Sequence, residues 1–405
     1  MSRSRVLVYG GIGGGACDYY RIGMYVGHLA ALGVDVVPWT PSVTYPSTYR
    51  GDWRLAAADG RASVVLDDLA PGDVLLISRW RNTKPACTEC GAPLEPGERE
   101  SHQHEAGHFS LSADPLFRPL LTSLLANAEV RSRCAVVYDL DDDLFHQPDW
   151  VGHTKGLAQE LDVVELLVRL ADLVTVSTPV LSGVLEPLTS RRLVVRNAID
   201  LSLYPPVGSN RAADGRPPRF LYYGSTVRRA DFALCSDALA RVVSSHPGAH
   251  RIWVGAPNST VGDLVDEAYP YIEVGSEFAR AISFLRPDVG LAPVLESPFA
   301  RSKSELHWLE YSAAGAATVA TGFDGPGPYD VIRDGVDGIL AGDADWYRHL
   351  ERLAAEPSFR EDLAGRAAER VRTEYSAAER ARDWAAAFQW ASQHAGIGLM
   401  QDHSE

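Results

Sequence analysis

The sequence predicts an α/β protein in which two doubly wound parallel sheets face each other across a cleft. Three observations carry that expectation. Short apolar runs alternate with amphipathic stretches along the 405 residues, as successive β-α units require. At roughly 150 residues per domain, the length fits two or three domains. A polar stretch at 205–218, rich in Pro, Gly, Asn and Asp, divides the runs into two series of comparable size.

In chain order, the first series offers strands at 5–9, 34–38, 74–78, 135–138, 173–177 and 193–196, with helices at 20–32, 114–126 and 154–171. The second offers strands at 220–223, 251–254, 289–292, 318–321 and 338–340, with helices at 230–245, 304–314 and 346–356. A last helix at 377–394 places Trp384 and Phe388 on one face and Trp390 roughly opposite. Aromatics on two sides predict that it docks, back across the domain junction, before a frayed tail beyond Gly396. The expected domains are therefore 1–204, 205–376 and a terminal segment 377–405.

Composition narrows the function classes. Apolar residues make up 46% and charged residues 22%, which leaves room for a large core and excludes a disordered or collagenous chain. Against 38 Lys and Arg stand 53 Asp and Glu, a net charge of -15. That balance disfavours non-specific wrapping of nucleic acid or anionic membrane, but it allows a local basic pocket for one small polyphosphate. No run approaches the roughly 18 apolar residues of a membrane span, and the first apolar run is too short for a signal peptide. Five cysteines, unevenly spread, do not form a secreted disulfide framework. The expected location is cytoplasmic.

Four segments carry candidate chemistry. Directly after the first strand comes Gly10-Gly-Ile-Gly-Gly-Gly15, whose Gly11, Gly13 and Gly14 let backbone approach a ligand and leave amides free for an anion. It does not fit the dinucleotide fingerprint: Ala16 stands where a third glycine is needed, and Asp35 falls inside a strand rather than at its end. Nearby Arg21 can meet an anionic ligand or form an ion pair. At 136–145, Asp139, Asp141, Asp142 and Asp143 crowd one strand end. Such crowding needs an offset, from a divalent metal, substrate hydroxyls or arginines.

The third segment runs from Glu296 to Gly315. Ser302 or Ser304 is expected to cap its helix, the positive helix end beside Lys303 suits a pyrophosphate, and Glu310 can accept from a ribose diol. In the fourth, Gly224 follows a strand and Arg228 and Arg229 follow the glycine, an arrangement suited to a diphosphate with one arginine engaged and the other solvated.

The order of these segments resembles that of GT-B fold glycosyltransferases of the large retaining family 4, in its bacterial and phage branch. The resemblance rests on the glycine loop with Tyr20-Arg21-Ile22, the 139–144 strand end, 171–178, 195–200, Lys303-Ser304, 309–315 and 331–340, and so spans nearly the whole chain. It implies two Rossmann-like domains, the first on the acceptor side and the second holding a UDP- or GDP-sugar. It also implies roles: Glu310 on the donor ribose, Arg229 and Lys303 on the diphosphate with amides near Ser304 and Glu305, Asp141 and Asp142 near the transferred sugar or acceptor, and the first-domain glycines closing over the donor. No catalytic metal is expected, because cations and helix dipoles neutralise the leaving diphosphate. One position departs: the family's paired acids, eight apart, would put the first at 302, where this chain has Ser302.

Independent of that pattern, Cys87, Cys90, His104 and His108 form C-x2-C-x13-H-x3-H, the spacing of a structural zinc site, with His102 as a substitute ligand. Four protein ligands leave no open position for catalysis. We therefore expect a zinc-clipped insertion at 84–110, next to the cleft and able to recognise an acceptor; it lacks a basic recognition helix for DNA. The leading expectation is a retaining, nucleotide-sugar-dependent glycosyltransferase whose acceptor is a glycan, protein, small molecule or modified DNA base. Two alternatives stand beside it: a transferase acting on a modified base in DNA, and a GT-B-like binding protein without turnover, for which Ser302 is the support.

Overall fold

The computed structural model describes residues 4–9, 16–39, 42–44, 63–65, 69–78, 125, 128–148, 161–204, 215–224, 228–256, 258–272 and 275–396. Six strands build the first sheet: β1 (Ser4–Tyr9), β2 (Val34–Trp39), β5 (Asp73–Ser78), β6 (Cys134–Leu140), β7 (Leu173–Val176) and β8 (Arg192–Val194). Their order is β2-β1-β5-β6-β7-β8, with every neighbouring pair parallel. β3 (Ser42–Thr44) and β4 (Ser63–Val65) form a separate antiparallel pair. The second sheet contains β9 (Arg219–Tyr223), β10 (His250–Val254), β11 (Glu267–Tyr269), β12 (Val289–Ala292), β13 (Ala317–Thr321) and β14 (Ile339–Ala341). It runs β11-β10-β9-β12-β13-β14, again parallel throughout. This is the doubly wound order in which the chain turns back at its first strand.

The strands form where they do because helices cover both faces. β5 and β6 are buried at every position, so their sequences read as continuous apolar runs rather than alternations. Two parts of the strand content carried no such signal. β11 is a three-residue, half-exposed edge strand, and the β3–β4 pair lies outside the apolar runs.

Helix boundaries differ from expectation in two places that matter for the site. The segment at 20–32 is broken into Ala16–Arg21, a 3-10 turn at Gly23–Tyr25 and Val26–Ala31, with the break at a glycine of low helix propensity. The helix expected to be capped by Ser302 or Ser304 begins later, at Leu306, with Glu305 at its N-cap and no side-chain cap bond. Ser302 instead ends a short helix, Pro298–Arg301, and donates to the Phe299 carbonyl at 2.8 Å. Ser304 accepts from Asn197 Nδ2 at 2.8 Å.

Helix Pro357–Glu374 is followed by the terminal helix Ala377–Gln393, opened by Ser376, whose hydroxyl accepts from the Glu379 amide. The terminal helix packs on the first sheet, against β5, β6, β7 and helix Val26–Ala31. Trp384 is fully buried, its ring 5.4 Å from Phe388 and 6.2 Å from Tyr25, while Trp390 is 37% exposed. The chain thus crosses between the sheets twice. The crossings are tied together: the Ile199 amide donates to the Tyr375 carbonyl, and the Ala377 amide to the Ile199 carbonyl, each at 2.9 Å. Among the described residues, no helix is long and apolar enough to cross a membrane.

Close packing of β12 on helix Leu306–Ala313 requires a glycine. A Cβ at Gly290 would stand 2.2 Å from the Tyr311 ring, whose hydroxyl accepts from the Tyr223 amide and donates to the Leu291 carbonyl. Gly290→Ala is expected to destabilise the fold by about 1–3 kcal/mol through overpacking. Urea unfolding checks this, and an unchanged midpoint would refute the tight contact.

Candidate functional site

A cavity of about 350 Å³ opens at the carboxyl ends of both sheets, where doubly wound folds place ligands. The first sheet contributes Asp141 and Asp142 beyond β6, with Tyr20 and Asn197 beside them; the second contributes residues beyond β9, β10 and β12 together with the start of helix Leu306–Ala313. Its floor is backbone. Gly255, at φ +108°, would drive a Cβ to 2.6 Å from the Gly224 carbonyl oxygen, so the turn after β10 packs on the turn after β9 only with glycine at 255. The Gly224 carbonyl is fixed by Trp253 Nε1 at 2.8 Å.

Two cations reach the cavity from different segments. Arg228 is held by Asp231 at 2.9 Å; burial works against its charge, but the hydrogen bond and charge of Asp231 prevail and keep its pKa above the ordinary value. Asp231 is itself anchored by the Leu295 amide at 2.8 Å. Arg229, one residue on, is exposed and, among the described residues, makes only a 3.4 Å approach to the Thr260 carbonyl. Lys303 extends across the cleft to Asp142 Oδ1 at 3.1 Å and lies 4.3 Å from the Phe299 ring centroid.

Glu310 is 2% exposed, and each of its carboxylate oxygens accepts from a phenol, Tyr20 from the first domain and Tyr223 from the second. Burial pushes its pKa up to about 8, with the Tyr20 hydrogen bond opposing. Three residues earlier on the same helix, His307 also lines the cavity, with Nδ1 3.0 Å from the Tyr329 hydroxyl and its ring 4.2 Å from that of Tyr223. Burial, then Arg228 and Lys303, pushes its pKa down to about 3.

The crowded acids at 139–143 separate by direction. Asp139 and Asp143 turn inward. Asp139 binds Arg21 in a bidentate pair at 2.8 and 3.0 Å and accepts from Thr175 Oγ1 at 2.6 Å. Asp143 accepts from the Phe145 and His146 amides and pairs with His146 Nδ1 at 2.8 Å. Asp141 and Asp142 line the cavity. Among the described residues, no group of three or more His, Cys, Asp or Glu is placed to hold a metal ion.

Of the residues singled out in the sequence, the cavity wall therefore gathers Asp141, Asp142, Gly224, Arg228, Lys303, Ser304 and Glu310. Arg21 is 1% exposed and bound not only to Asp139 but to the Val195 carbonyl (2.6 Å) and Asn197 Oδ1 (2.9 Å). Of its two open roles, ligand partner or ion pair, the structure places it in the ion pair. Glu305 is fully buried and faces Arg196 at 3.5 Å; burial raises its pKa, with Arg196 opposing. Ser302 lies away from the cavity. Gly11, Gly13 and Gly14, and the zinc ligands Cys87, Cys90, His104 and His108, lie outside the described residues.

Residues 302–305 are also where the two halves grip each other. Thr178 Oγ1 donates to the Ser302 carbonyl at 2.8 Å, Asp142 pairs with Lys303, Asn197 with Ser304, and Arg196 with Glu305. Sequence reasoning assigned no role to Tyr20, Asn197, Tyr223 or His307. His307 carried a signal, since a residue three before Glu310 shares its helix face.

No family model matches the chain, and no curated protein matches it. Solved structures do. Anabaena HepE in complex with UDP-glucose aligns at a TM-score of 0.57 and 13% identity, covering 95% of this chain and 99% of the other. An alpha-glucosyltransferase, AGT, in complex with UDP aligns at 0.58 and 12%, with the same coverages. The fold is theirs. A glycosyltransferase from Rickettsia africae aligns at 0.53 and 8%, covering 96% and 99%. The GT-B arrangement expected from the segment order is thus the observed architecture, two parallel six-stranded sheets across a cleft.

Proposed function

We propose that the protein is a glycosyltransferase that takes a sugar from a UDP- or GDP-class donor and passes it to an acceptor with retention of configuration. The observation that carries this reading is the convergence of Arg228, Lys303 and the buried Glu310 in one cavity at the carboxyl ends of two parallel sheets. In this reading the ribose diol takes the place of a phenol on Glu310. Arg228 and Lys303 hold the diphosphate, beside the backbone of Gly224, Ser304 and Glu305. The role that resemblance assigned to Arg229 passes to Arg228, because Arg229 is exposed. Asp141 and Asp142 face this donor site from the first domain and would meet the transferred sugar and the acceptor. The neighbours solved with UDP-glucose and UDP support the UDP class.

In transfer, the bond between the sugar's anomeric carbon and the diphosphate oxygen breaks, and charge builds on that oxygen. Preorganised cations lower the barrier because they need not reorganise as the charge develops. The acceptor oxygen bonds the anomeric carbon on the same face, and its proton passes to the departing phosphate oxygen. Lys303→Ala and Arg228→Ala are each expected to lower kcat about 10²–10³-fold, and Arg229→Ala to lower it far less. Release of nucleoside diphosphate from UDP- and GDP-sugars measures this. Near-wild-type rates for both cavity variants would remove them from the reaction.

One observation favours a second reading, a GT-B-fold binding protein without turnover: at the position of the family's first acid, the Ser302 hydroxyl bonds the Phe299 carbonyl and not the cavity. Nucleotide binding with no hydrolysis or transfer of any sugar nucleotide would select it.

A further inference from the structure

Resting on the reading of the cavity as a donor site, we propose that His307 is a third partner of the donor diphosphate, neutral in the empty site and cationic when it is filled. The geometry carries this. His307 lines the cavity with Arg228 and Lys303, the two groups assigned to the diphosphate. Its Nδ1 is engaged by the Tyr329 hydroxyl at 3.0 Å, and its Nε2 has no partner among the described residues. One ring nitrogen is thus positioned by the protein while the other is left for a ligand, the arrangement by which a histidine is oriented for work.

Tyr329 suits both charge states. A phenol donates to Nδ1 of a neutral imidazole and, with its proton turned, accepts from Nδ1–H of an imidazolium. Nε2 carries a proton to donate in either state. The groups facing the ring are Tyr223 at the end of β9, Arg228 from the segment after it, Lys303 from the segment before the helix, Tyr329 from the turn beyond β13, and Glu310 and Tyr311 from its own helix. In the empty site, burial and the two cations hold His307 neutral. A diphosphate placed among the three groups offsets both cations and brings opposite charge within reach, which favours the imidazolium. The proton comes from solvent on binding and returns when the nucleoside diphosphate departs. The pocket therefore meets a bound diphosphate with three positive groups, while the empty site carries only two positive charges.

The test is calorimetric titration of UDP and GDP in two buffers of equal pH and different ionisation enthalpy, between pH 6.5 and 8. Wild type is compared with His307→Gln and His307→Asn, and uridine serves as a control for protons exchanged at Glu310. The expected result is proton uptake of up to one per nucleoside diphosphate, in excess of the uridine value, in wild type. That excess is absent in both variants. Relative to uridine, wild-type affinity for the diphosphates falls as pH rises, by up to about tenfold per pH unit, more steeply than in either variant. Equal proton uptake in wild type and in folded variants, verified by their melting temperatures, would overturn the role of His307 while leaving the donor site standing. Failure of wild type to bind UDP or GDP at all would overturn the donor reading and this inference with it.

Discussion

Glu310→Gln is expected to make the unliganded protein more stable at neutral and alkaline pH while weakening its hold on the donor. Glu310 is buried, with a pKa pushed up from 4.5 to about 8. A carboxyl whose folded pKa lies above its unfolded value supports the fold fully only below the unfolded value. That support is lost as pH rises through the folded one. The stability gained by the glutamine variant should therefore vanish near pH 4.5, grow between pH 5 and 8, and level off above. Its size is on the order of a few kcal/mol. The amide keeps partners for Tyr20 and Tyr223 but cannot offer a ribose diol a charged acceptor. UDP binding should weaken roughly 10- to 100-fold, the worth of a hydrogen bond to an ionised group, and Glu310→Ala should bind none detectably. Thermal melts across pH together with UDP calorimetry decide this. A pH-independent stability difference, or unchanged affinity, would remove the assigned role.

The second large effect belongs to Arg21. Its guanidinium and the Asp139 carboxylate are both almost wholly buried, and the guanidinium lies 5.0 Å from the Trp384 ring centroid. Arg21→Met leaves Asp139 buried with Thr175 as its hydroxyl partner, and breaking one side of such a pair costs about 3–5 kcal/mol. Because the same arginine holds Asn197 Oδ1, and Asn197 holds Ser304, the variant should also raise the KM for the donor. The double change Arg21→Met with Asp139→Leu should recover much of the stability but not the KM. A loss below 1 kcal/mol in urea unfolding for the single variant would show that the pair is not what secures this end of the sheet.

These cases show what the sequence made legible. β5 and β6 were readable because helices bury both their faces, and apolar runs are what such burial demands. β11 was not, since Glu267-Ala268-Tyr269 at a half-exposed edge has no such constraint. The chemical character of the site was readable at the strand ends, where acids, glycines and arginines stand. Which arginine serves the cavity was not. Arg228 and Arg229 are adjacent, and the choice is made by Asp231 gripping one of them. Arg21 left two roles open because its partner lies 118 residues away. Ser302 and Ser304 carried the composition of a cap, but the Thr178 and Asn197 contacts from the other half hold 302–305 in a different turn.

The terminal helix sets an order of assembly. Trp384, Ala387, Phe388 and Ala391 belong to the same buried cluster as Val6, Val8 and Leu76 of the first sheet and Tyr25 and Leu29 of the helical segment beside it. The core that β1 and β5 begin is therefore finished by residues made only after the whole second sheet has been synthesised. During synthesis the first half emerges still open on one side. Cutting the gene between the two sheets would leave that half with an exposed apolar face. The halves can be expressed apart only if residues 377–393 are carried back to the first.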